Sequence, residues 1–131
     1  MATTTATLTI SSGDLTGDAL ALSQTATLTK AGTLTGMDQT TGVGRKTFGA
    51  TATVALIEAA DYTDDKAHKV YVKNTSSTAT EYFTLANGAT ATVGRLYSGD
   101  WAFMPWNGDR DLNVTPSVAT NMTIEYMLIF E

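Results

Sequence analysis

Several residue types that usually reveal a function are scarce or missing in this chain of 131 residues. It contains no cysteine, which excludes disulfides and thiolate metal sites. It has one histidine, two prolines and only 16% charged residues. The net charge is −5 and the basic residues are scattered, which argues against a nucleic-acid partner, since such proteins present a basic face to phosphates.

Long apolar segments are also missing. No run approaches the roughly 18–20 apolar residues that a membrane-spanning helix needs. The N-terminal stretch MATTTATLTISSGD has no basic segment followed by an apolar one, so we expect no secretory signal. The sequence therefore predicts a soluble chain with no membrane partner.

No group of residues forms a complete catalytic or metal-binding motif. His68 lies among lysines without a nucleophile-elbow motif, and we predict a surface histidine at a strand edge. The acidic stretches Asp14–Asp18, Asp61–Asp65 and Gly108–Asp111 lack the spacing of a calcium loop and are typical of turns. Gly42–Thr47 lacks the Gly-Lys pair of a phosphate-binding loop. We expect no enzyme, no cofactor and no metal site.

Threonine, by contrast, accounts for about a fifth of the residues. This β-branched residue loses side-chain freedom in helices and packs well on a pleated sheet. A disordered chain would carry more charge and proline and fewer aromatic residues. The composition predicts a folded, all-β protein.

The last segment shows the clearest strand pattern. Its even-numbered residues would share one face, and these are Met122, Ile124, Tyr126, Leu128 and Phe130. The opposite face starts polar and turns apolar at Met127 and Ile129. We therefore expect a strand whose end is covered on both sides, the second cover being a loop or a neighbouring subunit.

Similar short patterns recur about every ten residues between turn signals, which is typical of an antiparallel β-sandwich. The predicted strands are Ala6–Ile10, Ala19–Ser23, Thr25–Thr29, His68–Lys73, Glu81–Leu85, Thr92–Tyr97, Trp101–Trp106 and Asp111–Thr115, with a strand running into a short helical turn over Val54–Asp61. The loop after Lys73 and the turn after Tyr97 suggest two hairpins, one joining the strands on either side of each.

The N-terminal third differs from the rest, because its alternating residues are mostly small. It could be the outer sheet of the sandwich or an arm that completes its strands against a partner. We expect a long exposed loop over Thr33–Gly44. The predicted organisation is a single domain over residues 1–131, with an N-terminal strand region or arm at 1–45 and the sandwich core at 46–131.

Four aromatic residues lie within ten positions: Tyr97, Trp101, Phe103 and Trp106. On a strand, Trp101 and Phe103 share a face and Trp106 points the other way. Either both tryptophans cover the ends of one core, or one of them forms a subunit interface or stacks on a sugar ring. Together with the apolar end of the last strand, the candidate interface or glycan-stacking residues are Tyr97, Trp101, Trp106, Met127 and Ile129.

The segments VYVKNT, GRLYSGDWAFMPW and MTIEYMLIFE resemble small virion structural proteins of tailed phages, particularly those of marine and cyanobacterial hosts. The resemblance covers roughly Lys66–Glu131. It implies a jelly-roll-like sandwich, commonly trimeric, located in the virion. The implied function is that of a capsid cement or decoration protein that binds the major capsid protein shell. The alternative is a tail fibre, spike or knob module that binds a host receptor or glycan.

Overall fold

The computed structural model describes residues 3–131, and residues 1 and 2 of the predicted arm lie outside the described residues. One compact unit ends at Asp38 and a second comprises Gln39–Glu131; each is described by itself. Strands and short turns build the described part of the chain, which has no α-helix. No helix in it is therefore long and apolar enough to cross a membrane. The prediction of an all-β fold is confirmed.

The strands follow the predicted pattern closely. The first unit has β1 (Thr4–Ser12) and β2 (Leu20–Leu28), so the two stretches predicted on either side of Gln24 form one strand. The strands of the second unit are β3 (Gln39–Thr40), β4 (Gly44–Phe48), β5 (Val54–Ile57), β6 (Lys69–Asn74), β7 (Tyr82–Asn87), β8 (Ala91–Tyr97), β9 (Trp101–Pro105), β10 (Leu112–Pro116) and β11 (Met122–Phe130). A 3-10 turn at Ala59–Asp61 follows β5, as predicted.

Two antiparallel sheets form the second unit. One has the order β5-β10-β7-β8; the other has β11 at its centre, flanked by β6 and β9 on one side and by β3 and β4 on the other. The pairs β4–β11, β5–β10, β6–β9 and β7–β8 are those of one long hairpin with its turn between β7 and β8. Additional β6–β11 and β7–β10 pairs roll that hairpin into two sheets. This strand order is the jelly-roll sandwich.

Both predicted hairpins are wrong. β6 and β7 belong to different sheets, and so do β8 and β9. The polar loop after Asn74 and the tight turn at Ser98–Asp100 therefore carry the chain from one sheet to the other. The physical reason is that an alternating pattern identifies a strand and its buried face but not its partner.

The core lies between the two sheets and consists of large apolar side chains. Phe83 and Phe48 meet edge to face, with ring centroids 5.6 Å apart. Val70 and Val72 from β6 are fully buried. Each such side chain contributes about 1.5–3 kcal/mol by leaving water. Residues at alternate positions of each strand face this layer, as the period of two requires.

The prediction of a surface histidine is wrong, because His68 is fully buried. Its Nε2 lies 2.8 Å from the Thr63 carbonyl oxygen and donates to it, since a carbonyl can only accept. Its Nδ1 accepts from the Glu131 backbone N–H at 3.3 Å. His68 lies two residues before Val70 and shares the inward parity of Val70 and Val72, which the neighbouring lysines concealed.

The predicted long exposed loop is also partly wrong. Leu34 is 96% exposed, but Met37 is fully buried. The Met37 N–H donates to the Leu28 carbonyl at 3.0 Å, which extends the end of β2. β3, within the same predicted loop, pairs with the end of β11. Glycine-rich composition hid these contacts, because both depend on residues distant in sequence.

Candidate functional site

The first candidate surface is the hairpin of β1 and β2, which pair along nine residues each and form a sheet of their own. They therefore do not pair with the strands of the two sandwich sheets. At about 3.4 Å per residue the hairpin is roughly 30 Å long. Among residues 3–131 no third strand pairs with either one, and beyond the Met37 N–H bond to the Leu28 carbonyl at the base, both backbone edges lie outside any ladder.

The register of this hairpin gathers most hydroxyl groups on one face and most apolar groups on the other, where Gln24 is opposite Leu8. Thr5 is opposite Thr27, and Thr7 is opposite Thr25, whose hydroxyl lies 2.8 Å from that of Thr7. Successive side chains alternate between faces, so the other face carries Ala6, Leu8, Ile10, Leu22 and Ala26. We call this second surface the apolar hairpin face.

The apolar hairpin face is uncovered over its outer half. Leu28, near the base of the hairpin, is only 4% exposed. Leu8, Ile10 and Leu22 are 39%, 43% and 38% exposed, and Leu15 in the connecting turn is 74% exposed. Neither strand carries a charged residue. A flat, uncharged surface of this kind is typical of a contact with another chain.

The second candidate surface is the outward side of the β9–β6–β11 sheet. Phe103 on β9 is opposite Tyr71 on β6, which is opposite Met127 on β11. Trp101 lies on the same side of β9, and it is 52% exposed, while Phe103 is 37% exposed. We call the surface formed by Trp101, Phe103, Tyr71 and Met127 the aromatic face.

A charged row borders the aromatic face. Arg45 on β4 is opposite Glu125 on β11, which is opposite Lys73 on β6. Arg45 holds Glu125 by two contacts, Nε to Oε2 at 3.0 Å and Nη2 to Oε2 at 2.9 Å. These bonds lower the pKa of Glu125. The Tyr71 hydroxyl donates to the other Glu125 oxygen at 3.2 Å, and burial, with this bond, raises the pKa of Tyr71.

The structure does not bring all the predicted site residues together. Trp101 and Met127 share the aromatic face, and Ile129 points to the same side of β11 but is only 7% exposed. Tyr97 lies on β8 in the opposite sheet, where its ring is 5.0 Å from that of Tyr82. Trp106 belongs to the core, is 5% exposed, and donates its Nε1–H to the Arg110 carbonyl at 2.9 Å.

These positions decide between the two arrangements predicted for the tryptophans. Trp101 and Phe103 share one face and Trp106 points the other way, as predicted. The arrangement with both tryptophans on one core is wrong, since only Trp106 is in it. Trp101 is the tryptophan that remains available to a ligand or partner. Sequence reasoning missed Tyr71 and Lys73, which become neighbours of Trp101 and Phe103 only through the β6–β9 pairing.

A cleft of about 520 Å³ lies at the open side of the sandwich near β8 and β9. Its walls are mainly apolar and include Val93, Met104 and Leu112. Val93 is the extra residue where the β7–β8 register shifts, so a β-bulge directs it there. The buried Oδ1 of Asn87, which also lines the cleft, accepts no hydrogen bond. Within the described chain no cluster of three or more acidic or histidine side chains could hold a metal ion.

No family model, no curated protein and no solved structure matches this chain.

Proposed function

We propose that the protein is a structural protein of a phage particle, a cement or decoration protein that assembles as a trimer and binds the major capsid protein shell. The observation that carries this proposal is the uncovered apolar hairpin face. In this proposal the hairpin contacts other chains, and the jelly roll forms the stable folded body of the protein.

The energetics of the hairpin support a role in assembly. A two-stranded hairpin is marginally stable in water, and three or more strands or a packed face are needed for independent stability. Within the described residues β1 and β2 form a sheet with no third strand, and Ile10 and Leu22 on one face are 43% and 38% exposed. A long edge without lysine or proline is also unusual, because such residues normally prevent strand addition. A partner that covers the face would bury its exposed apolar side chains, and a partner that pairs with an edge would satisfy the backbone groups there.

The resemblance to virion proteins supports a capsid as that partner. In a shell, symmetry repeats each contact many times, so a small and weakly charged contact is sufficient. Strand addition to an open edge supplies backbone hydrogen bonds without requiring a deep pocket. The low charge of the chain is compatible with close packing of many copies.

Binding to the particle tests this proposal. The variant Leu8→Thr/Ile10→Thr/Leu22→Thr places β-branched threonine, which favours strands, at all three positions and removes the apolar surface. We expect it to lose co-sedimentation with heads that lack the protein, and to lose the trimer mass in light scattering. The matched control is Thr7→Val/Thr25→Val, which alters the hydroxyl face at one cross-strand pair and should bind normally.

Imaging separates the two locations in the particle. Cryo-electron microscopy of particles with and without the chain should show an extra sandwich-sized density on the outer capsid surface. Density on the tail instead would support the fibre, spike or knob alternative. Unchanged co-sedimentation of the triple-threonine variant, or a monomeric native protein absent from both places, would refute the proposal.

A further inference from the structure

We propose that the aromatic face is a binding site for an acidic saccharide, with Trp101 as the stacking platform and Lys73 as the group that recognises the anion. This site is distinct from the apolar hairpin face and does not depend on where the chain lies in a particle.

The shape of the surface fits a sugar chain. Trp101 and Phe103 are two residues apart on β9, which places them about 6.7 Å apart along one edge of the sheet. Both rings are exposed, and they project from the outside of a strand whose inward residues lie toward the core. Aromatic rings on a flat sheet offer apolar faces to the C–H surfaces of pyranose rings. Two neighbouring platforms would contact consecutive sugars.

Charge determines the class of sugar. Lys73 lies directly opposite Trp101, and Lys69 lies directly opposite Pro105, so both lysines border the ring platforms. Directly opposite residues on paired strands have Cβ atoms about 5 Å apart. Lys69 Nζ donates to the Ala67 carbonyl at 2.8 Å, which anchors it near the surface. Lys73, at the position directly opposite the exposed Trp101, favours a carboxylate, sulfate or phosphate on the bound sugar.

The neighbouring carboxylate of Glu125 does not cancel that preference. Glu125 lies between Lys73 and Arg45 in the cross-strand row. Its two oxygens are held by Arg45 and by the Tyr71 hydroxyl. Arg45, Lys69 and Lys73 therefore give the face an excess of positive charge on a protein whose net charge is −5. An anionic ligand gains from this local excess, and its binding should weaken as salt rises.

The two tryptophans provide a direct measurement. Trp101 is exposed, whereas Trp106 is buried with its indole N–H bonded. In an NMR spectrum the indole N–H signal of Trp101 therefore reports on the site, and that of Trp106 reports on the core. The probes are oligogalacturonate with its neutral methyl ester, and sulfated galactan oligosaccharides with their desulfated forms. We expect the acidic member of at least one pair to shift the Trp101 signal alone. Its neutral counterpart should bind about tenfold more weakly, since charge-assisted bonds are the stronger class.

Variants assign the roles. Trp101→Ala should abolish binding of acidic and neutral sugars, whereas Lys73→Gln should reduce affinity for the acidic sugar to that of the neutral one. Tyr97→Ala removes another exposed ring, 42% exposed against 52% for Trp101, from the opposite sheet and should change nothing. Circular dichroism confirms that each variant is folded.

Other outcomes would overturn the inference. Equal affinity for both members of every pair would show that the lysines do not select the ligand. Tighter binding of oligothymidylate than of any sugar would identify a nucleic-acid surface, and no shift of the Trp101 signal by any probe at millimolar concentration would exclude a saccharide site.

Discussion

Asn74, the last residue of β6, is a fully buried polar side chain that joins three segments. Its Nδ2 donates to the Glu81 carbonyl at 3.2 Å and to the Leu96 carbonyl at 3.0 Å. Its Oδ1 accepts from the Ser76 N–H at 3.0 Å. These bonds fix the loop where the chain leaves one sheet and tie it to β8 in the other, so we expect Asn74 to be a main determinant of stability.

The substitution Asn74→Leu preserves the approximate volume and removes all three bonds. The Leu96 carbonyl keeps its place in the β7–β8 ladder but loses a buried bond, which costs about 1 kcal/mol. Water can reach the Glu81 and Ser76 groups, so each of those losses costs about 0.5 kcal/mol. The total is about 2 kcal/mol, a substantial part of the roughly 5–15 kcal/mol that stabilises a typical domain. The melting temperature should fall by roughly 8–16 °C.

Urea denaturation followed by circular dichroism measures this loss. Asn113→Leu is the matched control, because its Nδ2 makes one partly buried bond to the Gly88 carbonyl at 2.9 Å. That control should lose about 1 kcal/mol. If Asn74→Leu is no more destabilised than Asn113→Leu, the bonds of Asn74 do not stabilise the loop that connects the two sheets, and the prediction is refuted.

Three further predictions concern local geometry and charge. Gly108→Ala should destabilise more than Gly99→Ala by at least about 1 kcal/mol in denaturation, because both have φ near +80° but only at Gly108 would a Cβ lie 2.7 Å from a backbone oxygen. ¹⁵N NMR should show His68 with the proton on Nε2 at neutral pH; a proton on Nδ1 would contradict its two bonds. Arg45→Gln should raise the pKa of Glu125 in an NMR titration. Because the pKa of Glu125 is lowered in the folded protein, its ionised carboxylate stabilises the fold at pH values above the ordinary pKa of a glutamate. This stabilisation is lost as the pH falls through the lowered pKa.

Apart from β3 and β4, the positions of the described strands could be predicted, because burial on one side imposes a period of two. Phe83 and Leu85, for example, are buried, while Tyr82 and Thr84, which alternate with them, are partly exposed. Which strands pair with one another could not be predicted in the same way. The turn at Ser98–Asp100 has the composition of a hairpin turn, yet it crosses between sheets. Its direction is set by contacts such as Gly99 N–H to the Asn74 carbonyl, 25 residues earlier in the chain.

The candidate surfaces show the same limit. The face shared by Trp101 and Phe103 follows from their spacing alone, and so does the opposite direction of Trp106. Their neighbours Lys73 and Tyr71 are about 30 residues away in sequence and required the β6–β9 register. The exposed state of Trp101 also could not be read from the sequence, since a tryptophan on a strand packs as readily inward as outward.

Threonine pairs explain how a chain with little charge can present so much sheet to water. Hydroxyls approach within 2.7–2.8 Å across strands on the outside of each sheet, between Thr7 and Thr25, Thr47 and Thr123, and Thr53 and Thr115. Such pairs stabilise the cross-strand contact and satisfy polar groups without adding charge. Lysine or glutamate at the same positions would add repulsion between adjacent copies, because every copy carries the same charge. Threonine faces therefore allow copies with a net charge of −5 to pack closely, as the proposed role in a particle requires.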